Sequence, residues 1–115
     1  VNHGSAVLLS AIRPDGRSFV WGRKLTGTSN AEEAQSGMPQ ALPFLIQDRM
    51  VLNNAIYLHG LNGHPFVVRD GSLVTGQNPA SSAKIARFMV RIIRRKWVAN
   101  TEEIMNSELQ LATHY

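Results

Sequence analysis

The chain has no cysteine among its 115 residues. This absence excludes disulfides, thiolate metal sites and a cysteine nucleophile, although it is compatible with either redox compartment. No apolar run approaches the roughly 18 residues that a membrane span needs. The N-terminus also lacks the basic segment, apolar run and small-residue cleavage site of a signal peptide. We therefore expect a cytoplasmic protein with no membrane partner.

Aromatic residues are few, at 7%, but hydrophobic residues make up 43% of the chain, enough for a small core. The length is that of one ordinary domain, and a chain of this size is only marginally able to fold alone. The sequence begins with Val1 and not with methionine. This start predicts that processing, trimming or cleavage has removed a preceding segment, unless the start itself is unusual.

Acidic residues are outnumbered by basic ones, and the net charge is +4. Much of the excess belongs to one predicted helix, in the residues Arg87, Arg91, Arg94, Arg95 and Lys96. No aromatic platform or known nucleic-acid motif accompanies them. The pattern favours a solvated face or a contact with an acidic partner, and we predict no nucleic-acid partner.

The first half of the chain alternates short elements. Residues 4–12 predict a nearly all-apolar helix, which belongs inside a larger protein. Residues 18–21 and 24–28 predict two short strands. Ser29 or Asn30 can cap a following helix, since each has a glutamate three residues later.

The second half predicts a helix from Pro43 to about Asn53, a strand at 55–58 and a hairpin turning at 70–71. A helix over 80–97 follows, and the stretch from Asn100 is either another amphipathic helix or a tail that orders on a partner. The expected core contacts are Phe44, Leu45, Met50 and Val51 of the earlier helix, and Ile85, Phe88, Met89, Ile92 and Ile93 of the later one. Short strands mixed with helices indicate an α/β or α+β fold.

Five segments resemble one known family in the order in which that family carries them. They read VNHGS at 1–5, GRKLTGTSNAEE at 22–33, LPFL at 42–45, AIY at 55–57 and DGSLVTGQNPASS at 70–82. The family is the ThiJ/PfpI superfamily (class I glutamine-amidotransferase-like), and the likeness is greatest to its branch of small stress proteins and glyoxalase III-like enzymes. The resemblance covers residues 1–97 and leaves 98–115 as a C-terminal extension, helical or otherwise.

The resemblance implies an α/β fold, namely the C-terminal part of a flavodoxin-like three-layer sandwich that a missing N-terminal half would complete. In the family a cysteine stands at the strand-to-helix elbow, in the position of Asn2, and a glutamate from the N-terminal half touches it. An elbow projects its side chain while the next helix presents free backbone N–H groups. Because an asparagine amide is no nucleophile, a cysteine-dependent glyoxalase or protease is not expected.

The resemblance makes Asn2 and His3 the candidate catalytic residues. Asn2 could orient a carbonyl or a water, and His3 could act as general acid or base. The backbone N–H groups of His3 and Gly4 are candidate oxyanion donors. The alternative readings are a degenerate elbow in a noncatalytic member and an ordinary hydrogen-bonded histidine.

Other polar residues are given structural roles. His59 and His64 share a loop without a nearby carboxylate, so no metal site is predicted. Glu32 and Glu33 are interpreted as helix caps, and residues 76–82 as a sheet-to-helix connection. No cofactor is expected.

The sequence thus predicts a subunit or cleavage fragment of a cofactor-independent enzyme. Its chemistry would be of the hydratase, hydrolase or lyase type, on a polarised group of a small-molecule substrate. The predicted partner is the complementary N-terminal half, as a separate or cleaved chain, with a dimer of such pairs. The alternative is a noncatalytic chaperone-like or scaffolding member of the same family.

Overall fold

The computed structural model describes residues 1–36 and 43–114, with side chains up to residue 109. Short helices and two small sheets are followed by one long helix, which gives the chain α/β character. The elements are a 3₁₀ helix Asn2–Ser10, β1 Lys24–Leu25, α1 Asn30–Ser36, α2 Ile46–Leu52, β2 Ile56–Tyr57, β3 Val67–Asp70, β4 Leu73–Gly76, a 3₁₀ turn Pro79–Ser81 and α3 Ser82–His114.

The apolar segment near the N-terminus forms the 3₁₀ helix, so its helical character was correctly predicted. Within this chain Val7 is 71% exposed and Ser5 is the buried residue. Leu8 and Leu9 are partly buried against the core. The helix therefore covers the core with one side and leaves apolar side chains on the other.

The strand predicted at 18–21 is wrong. This stretch is a turn, held by an isolated bridge between Ile12 and Ser18. The strand predicted at 24–28 shortens to β1, which pairs in parallel with β2. It ends at Leu25 because the next main-chain N–H, of Thr26, donates to the side-chain hydroxyl of Thr75 at 2.9 Å and not to a main-chain carbonyl.

The predicted hairpin is present, with β3 and β4 antiparallel and Gly71 in the left-handed region at φ 62°. Only glycine adopts that conformation without steric cost. The Lys24 N–H donates to Asp70 Oδ2 at 2.9 Å. Side chains of the hairpin thus connect the two sheets. In one continuous sheet these connections would be main-chain hydrogen bonds.

The core contains the buried side chains of Val20, Leu25, Ile46 and Met50. Helix α2 begins at Ile46 and not at Pro43, which lies in the preceding bend. Ile46 and Met50 share a helix face because they are four residues apart. Val51, predicted as a core contact, is one position further round and is 55% exposed.

The last helix does not end near Trp97. Helix α3 continues without a break for 33 residues, about 50 Å, and the molecule measures 70 Å along its longest axis. Its base is packed, because Ile85 is only 8% exposed, whereas Met89 and Ile93 of the predicted stripe are 49% and 62% exposed. Among the described residues no helix is both long enough and apolar enough to cross a membrane.

Candidate functional site

Asn2 lies at the start of the 3₁₀ helix in a strained backbone conformation. Its φ is +56°, in the left-handed region that asparagine tolerates better than most residues. The Thr28 hydroxyl donates to Asn2 Oδ1 at 2.6 Å. Since the carbonyl oxygen is engaged in this way, the amide nitrogen is the end of the side chain that can donate to a bound molecule.

His3 is paired with Glu33, a residue of the first turn of α1. The bond joins His3 Nε2 and Glu33 Oε1, and the two side chains are 33% and 11% exposed. A carboxylate only accepts, so Nε2–H must be the donor and Nδ1 is the nitrogen left to take up a proton. The pair therefore fixes both the orientation and the tautomer of the imidazole.

Glu32 is the centre of a second group of hydrogen bonds. The Ser29 hydroxyl accepts from the Glu32 N–H at 3.1 Å, and the Glu32 carboxylate accepts from the Ser29 N–H at 3.2 Å. This reciprocal pair is the predicted capping box, with Ser29 as the N-cap. The same carboxylate accepts from Gly63 N–H, Gln77 Nε2 and Asn78 Nδ2, each at 2.9 Å.

The hydrogen bonds decide the ionisation of Glu32. Burial alone would raise the pKa of its carboxyl, but the bonds from Gly63, Asn78, Gln77 and Ser29 favour the ionised form and together hold the pKa below its usual value. Glu32 is therefore a fixed negative charge at neutral pH.

The residues after β4 do more than connect a sheet to a helix. Gln77 is fully buried, and its Oε1 accepts from Gly60 N–H at 2.7 Å. Asn78 is also buried, and its Nδ2 donates to the His64 carbonyl at 2.7 Å as well as to Glu32. These two amides therefore tie the 60–64 loop to α1. We refer to Glu32, Gln77 and Asn78 as the amide clamp.

Tyr57 supports the site from β2. Its hydroxyl donates to the Thr28 carbonyl at 2.9 Å, and burial, together with the negative charge of Glu32, raises the pKa of its phenol. Gly27 lies against this hydroxyl, where an added Cβ would be 2.7 Å from the oxygen and 3.1 Å from Ser5 Cβ. The absence of a side chain at Gly27 thus lets the segment after β1 pass close to the 3₁₀ helix, where Thr28 bonds to Asn2.

A cleft of about 350 Å³ opens above these groups. That volume is at the small end of the usual range for small-molecule sites. Most of its described lining residues have polar side chains, and two of them are carboxylates. The lining comprises Asn2, His3, Thr28, Glu32, Glu33, Gln35, Ser36, Gly63, Asn78 and Pro79. The charge of the lining disfavours anionic ligands.

Asn2 and His3 both line this cleft. The Gly4 N–H, predicted as an oxyanion donor, donates to the Val1 carbonyl at 3.0 Å within the 3₁₀ helix. His59 and His64 do not line the cleft. Within residues 1–36 and 43–114 no group of three histidine or acidic side chains is placed to hold a metal ion.

Sequence reasoning missed Glu33 and the amide clamp. Glu33 was interpreted as a cap, although only one of two adjacent glutamates can occupy the third position of one capping box. With Ser29 as N-cap that position is Glu32. The sequence therefore leaves Glu33 without a role in the cap, and this could have marked it as a candidate for another role. Gln77 and Asn78 gave no such signal, because their partners are 45 and 46 residues away.

Comparison with solved structures finds proteins whose fold is similar to that of the chain. The chain is similar to the protein APC35852, with a TM-score of 0.77 and 35% identity over 83% of this chain and 43% of that one. It is also similar to the 24 kDa rapid encystment protein REP24 of Francisella tularensis, with a TM-score of 0.72 and 30% identity over 76% of this chain and 39% of that one. A glyoxalase III from Candida albicans matches with a TM-score of 0.69 and 27% identity, over 78% of this chain and 40% of that one.

At the level of the superfamily, the chain is ThiJ/PfpI-like. It spans about two fifths of the length of each of these solved proteins. No protein-family model matches the sequence, and neither does any curated protein.

Proposed function

We propose that this chain forms part of a ThiJ/PfpI-like, cofactor-independent enzyme that adds water to a polarised carbon of a small neutral molecule. The observation that carries the proposal is the His3–Glu33 pair beside Asn2 on the polar cleft. A base oriented by a carboxylate is the arrangement that general acid–base catalysis requires.

The proposed step uses His3 Nδ1 as the base. It takes a proton from a bound water while the water oxygen forms a bond to the substrate carbon, and the carbonyl π electrons move to the substrate oxygen. The amide nitrogen of Asn2 and the His3 backbone N–H donate to that oxygen, while the Gly4 N–H stays bonded to the Val1 carbonyl. His3 then returns the proton to the oxygen in a hydration or to the leaving group in a hydrolysis.

The charge of the site limits the substrate. Glu32 is held ionised by its hydrogen bonds, and Glu33 neighbours His3. Two carboxylates on a cleft of about 350 Å³ favour a neutral or cationic molecule of a few heavy atoms. The glyoxalase III among the structural neighbours has a carbonyl substrate by its name, and we extend only that class to this chain.

A complementary N-terminal half would complete the enzyme in this proposal. Its support is the shortness of the two sheets and the exposure of apolar residues beside them, for example Ile56 at 45% and Leu58 at 39% in and after β2. An unpaired, partly apolar edge is the surface on which further strands of a sheet would be added. The half would be a separate or cleaved chain, and pairs would associate further.

The test compares variants of the chain, co-expressed with its upstream sequence, on a panel of small aldehydes, esters and amides. We expect His3→Ala to lower kcat at least about 100-fold, the usual contribution of a general base, and Glu33→Gln to lower it less. Gln35→Ala, a cleft-lining change outside the hydrogen-bonded pair, is the matched control. Turnover that His3→Ala leaves unchanged would remove the enzymatic proposal.

A noncatalytic alternative is favoured by exposed apolar surface, since Leu52 and Leu61 are 76% and 73% exposed. Asn2, in the position of the superfamily's nucleophile, is consistent with it. A chaperone-like or scaffolding member would use such surface to hold unfolded chains. In that case the wild-type chain and His3→Ala would suppress the aggregation of a heated client protein equally. Neither would turn over any member of the panel.

A further inference from the structure

The loop that the amide clamp ties to α1 contains Asn62 followed by Gly63. These two residues form the middle of a turn in which the His64 N–H donates to the Leu61 carbonyl at 3.2 Å. Gly63 is exposed with φ 72°, and an added Cβ there would meet nothing within 4 Å. The Asn62 side-chain nitrogen donates to Gln35 Oε1 at 3.2 Å on the exposed surface. The peptide unit between Asn62 and Gly63 is therefore open to solvent.

An asparagine that precedes glycine can lose ammonia without a catalyst. The main-chain nitrogen of the glycine loses its proton and attacks the side-chain carbonyl carbon of the asparagine, which closes a five-membered succinimide ring. The bond from that carbon to the amide nitrogen breaks, and ammonia leaves with the proton. Water then opens the ring at either carbonyl, giving aspartate or isoaspartate. Glycine favours the attack because it has no side chain in the way and the most freely moving backbone.

Asn62 is the only asparagine of the sequence that a glycine follows. Asn78 precedes a proline, which has no N–H, and the remaining asparagines precede residues with side chains. Asn100 and Asn106 lie within α3, where the N–H of the next residue donates to a carbonyl four positions earlier. Sequence and secondary structure therefore both single out Asn62.

Glu32 acts directly on the nitrogen that would attack. The Gly63 N–H donates to Glu32 Oε2 at 2.9 Å. This bond favours the protonated amide, and the negative charge of Glu32 opposes the anion that the nitrogen becomes when it loses its proton. The closed clamp thus slows the reaction at the residue where the sequence favours it.

We propose that Asn62 is a site of spontaneous deamidation whose rate is set by the hydrogen bond from Gly63 to Glu32. Each opening of this bond frees the nitrogen to attack. The isoaspartate product adds one carbon to the main chain before Gly63 and so moves its N–H away from Glu32. Both products add a negative charge near the cleft, because Gln35 and Gly63 line it. This reaction requires no part of the proposed catalysis.

The first test follows the purified chain at neutral pH and physiological temperature by peptide mass spectrometry. Asn62 should gain the mass change of an amide exchanged for a carboxyl before any other asparagine does. A methyltransferase specific for isoaspartate should label the same peptide. Asn62→Gln is the matched control and should stay unmodified, because its longer side chain would have to close a six-membered ring. Persistence of the Asn62 amide, or earlier modification of another asparagine, overturns the proposal.

The second test concerns the control by Glu32. Glu32→Gln keeps an acceptor for the Gly63 N–H but removes the charge, so Asn62 should be modified several-fold faster than in the wild type. Asn106, in α3, should keep its wild-type rate and serves as the internal control for unfolding. An unchanged rate at Asn62, or an equal rise at both residues, overturns control by Glu32.

Hydrogen exchange tests the same link without a variant. In aged wild-type chain, molecules with an unmodified Asn62 should protect the Gly63 N–H from exchange. Those with isoaspartate should lose this protection, because the added carbon displaces the N–H from Glu32. Equal protection in the two forms would contradict the proposed coupling of the modification to the clamp.

Discussion

The amide clamp and the exposed apolar side chains of α3 differ in how far the chain satisfies them by itself. In the clamp, the buried amides of Gln77 and Asn78 meet the Glu32 carboxylate, which accepts bonds from four residues. Along α3, by contrast, a side chain as large as Trp97 is 68% exposed. Burying a polar group without a partner is costly, whereas an apolar group can remain in water at a smaller cost. A region that is complete in one chain is therefore recognised by its hydrogen bonds, and an incomplete one by its exposed apolar surface.

The largest expected effect is the loss of the clamp. Glu32→Ala removes the acceptor of Gln77 and Asn78, which stay buried, and each buried donor left without a partner costs about 1–3 kcal/mol. We expect the free energy of unfolding to fall by about 2–4 kcal/mol in chemical denaturation. Glu102→Ala, on the exposed part of α3, is the control and should change it by less than about 0.5 kcal/mol. Equal effects of the two substitutions would show that the clamp does not hold α1 to the 60–64 loop.

The second effect is the pH dependence that the same carboxylate produces. Its pKa in the folded state lies below the unfolded value of 4.5, so the unfolded chain binds the proton more readily. The stabilisation by ionised Glu32 is thus fully present above pH 4.5 and is lost as the pH falls through the lower folded pKa. Thermal unfolding from pH 6 to pH 3 should show a steeper loss of Tm for the wild type than for Glu32→Gln. Parallel curves would contradict the assigned pKa direction.

Local and long-range features of the fold differ in how far the sequence predicts them. The capping box, the hairpin turn and the helical character of 80–97 follow from local patterns, because a cap or a tight turn involves residues three or four apart. The residues that the clamp brings together are not local, and nothing at Gln77 or Asn78 indicates which carboxylate they bind. At the site itself, the family motif predicts Asn2 and His3 as the catalytic residues. The pairing of His3 with Glu33 was not predicted, because the two residues are 30 positions apart in the sequence.

Two errors in the helices have different physical causes. The predicted end of the last helix near Trp97 is wrong, because residues 98–109 contain no proline or glycine to end α3. The predicted burial of Val51 assumed that an apolar side chain finds cover within the chain. In this molecule Val7, Val51 and Ile104 do not.

The smallest expected effect belongs to the exposed apolar side chains of α3. Ile104 is 60% exposed, so Ile104→Ala removes few contacts within the chain and should change the free energy of unfolding by less than about 0.5 kcal/mol. Ile85→Ala is the matched control on the same helix, since Ile85 is 8% exposed and its loss should cost about 2–4 kcal/mol. Chemical denaturation of both variants separates the packed base of α3 from its exposed part. Losses of equal size would contradict this division of the helix.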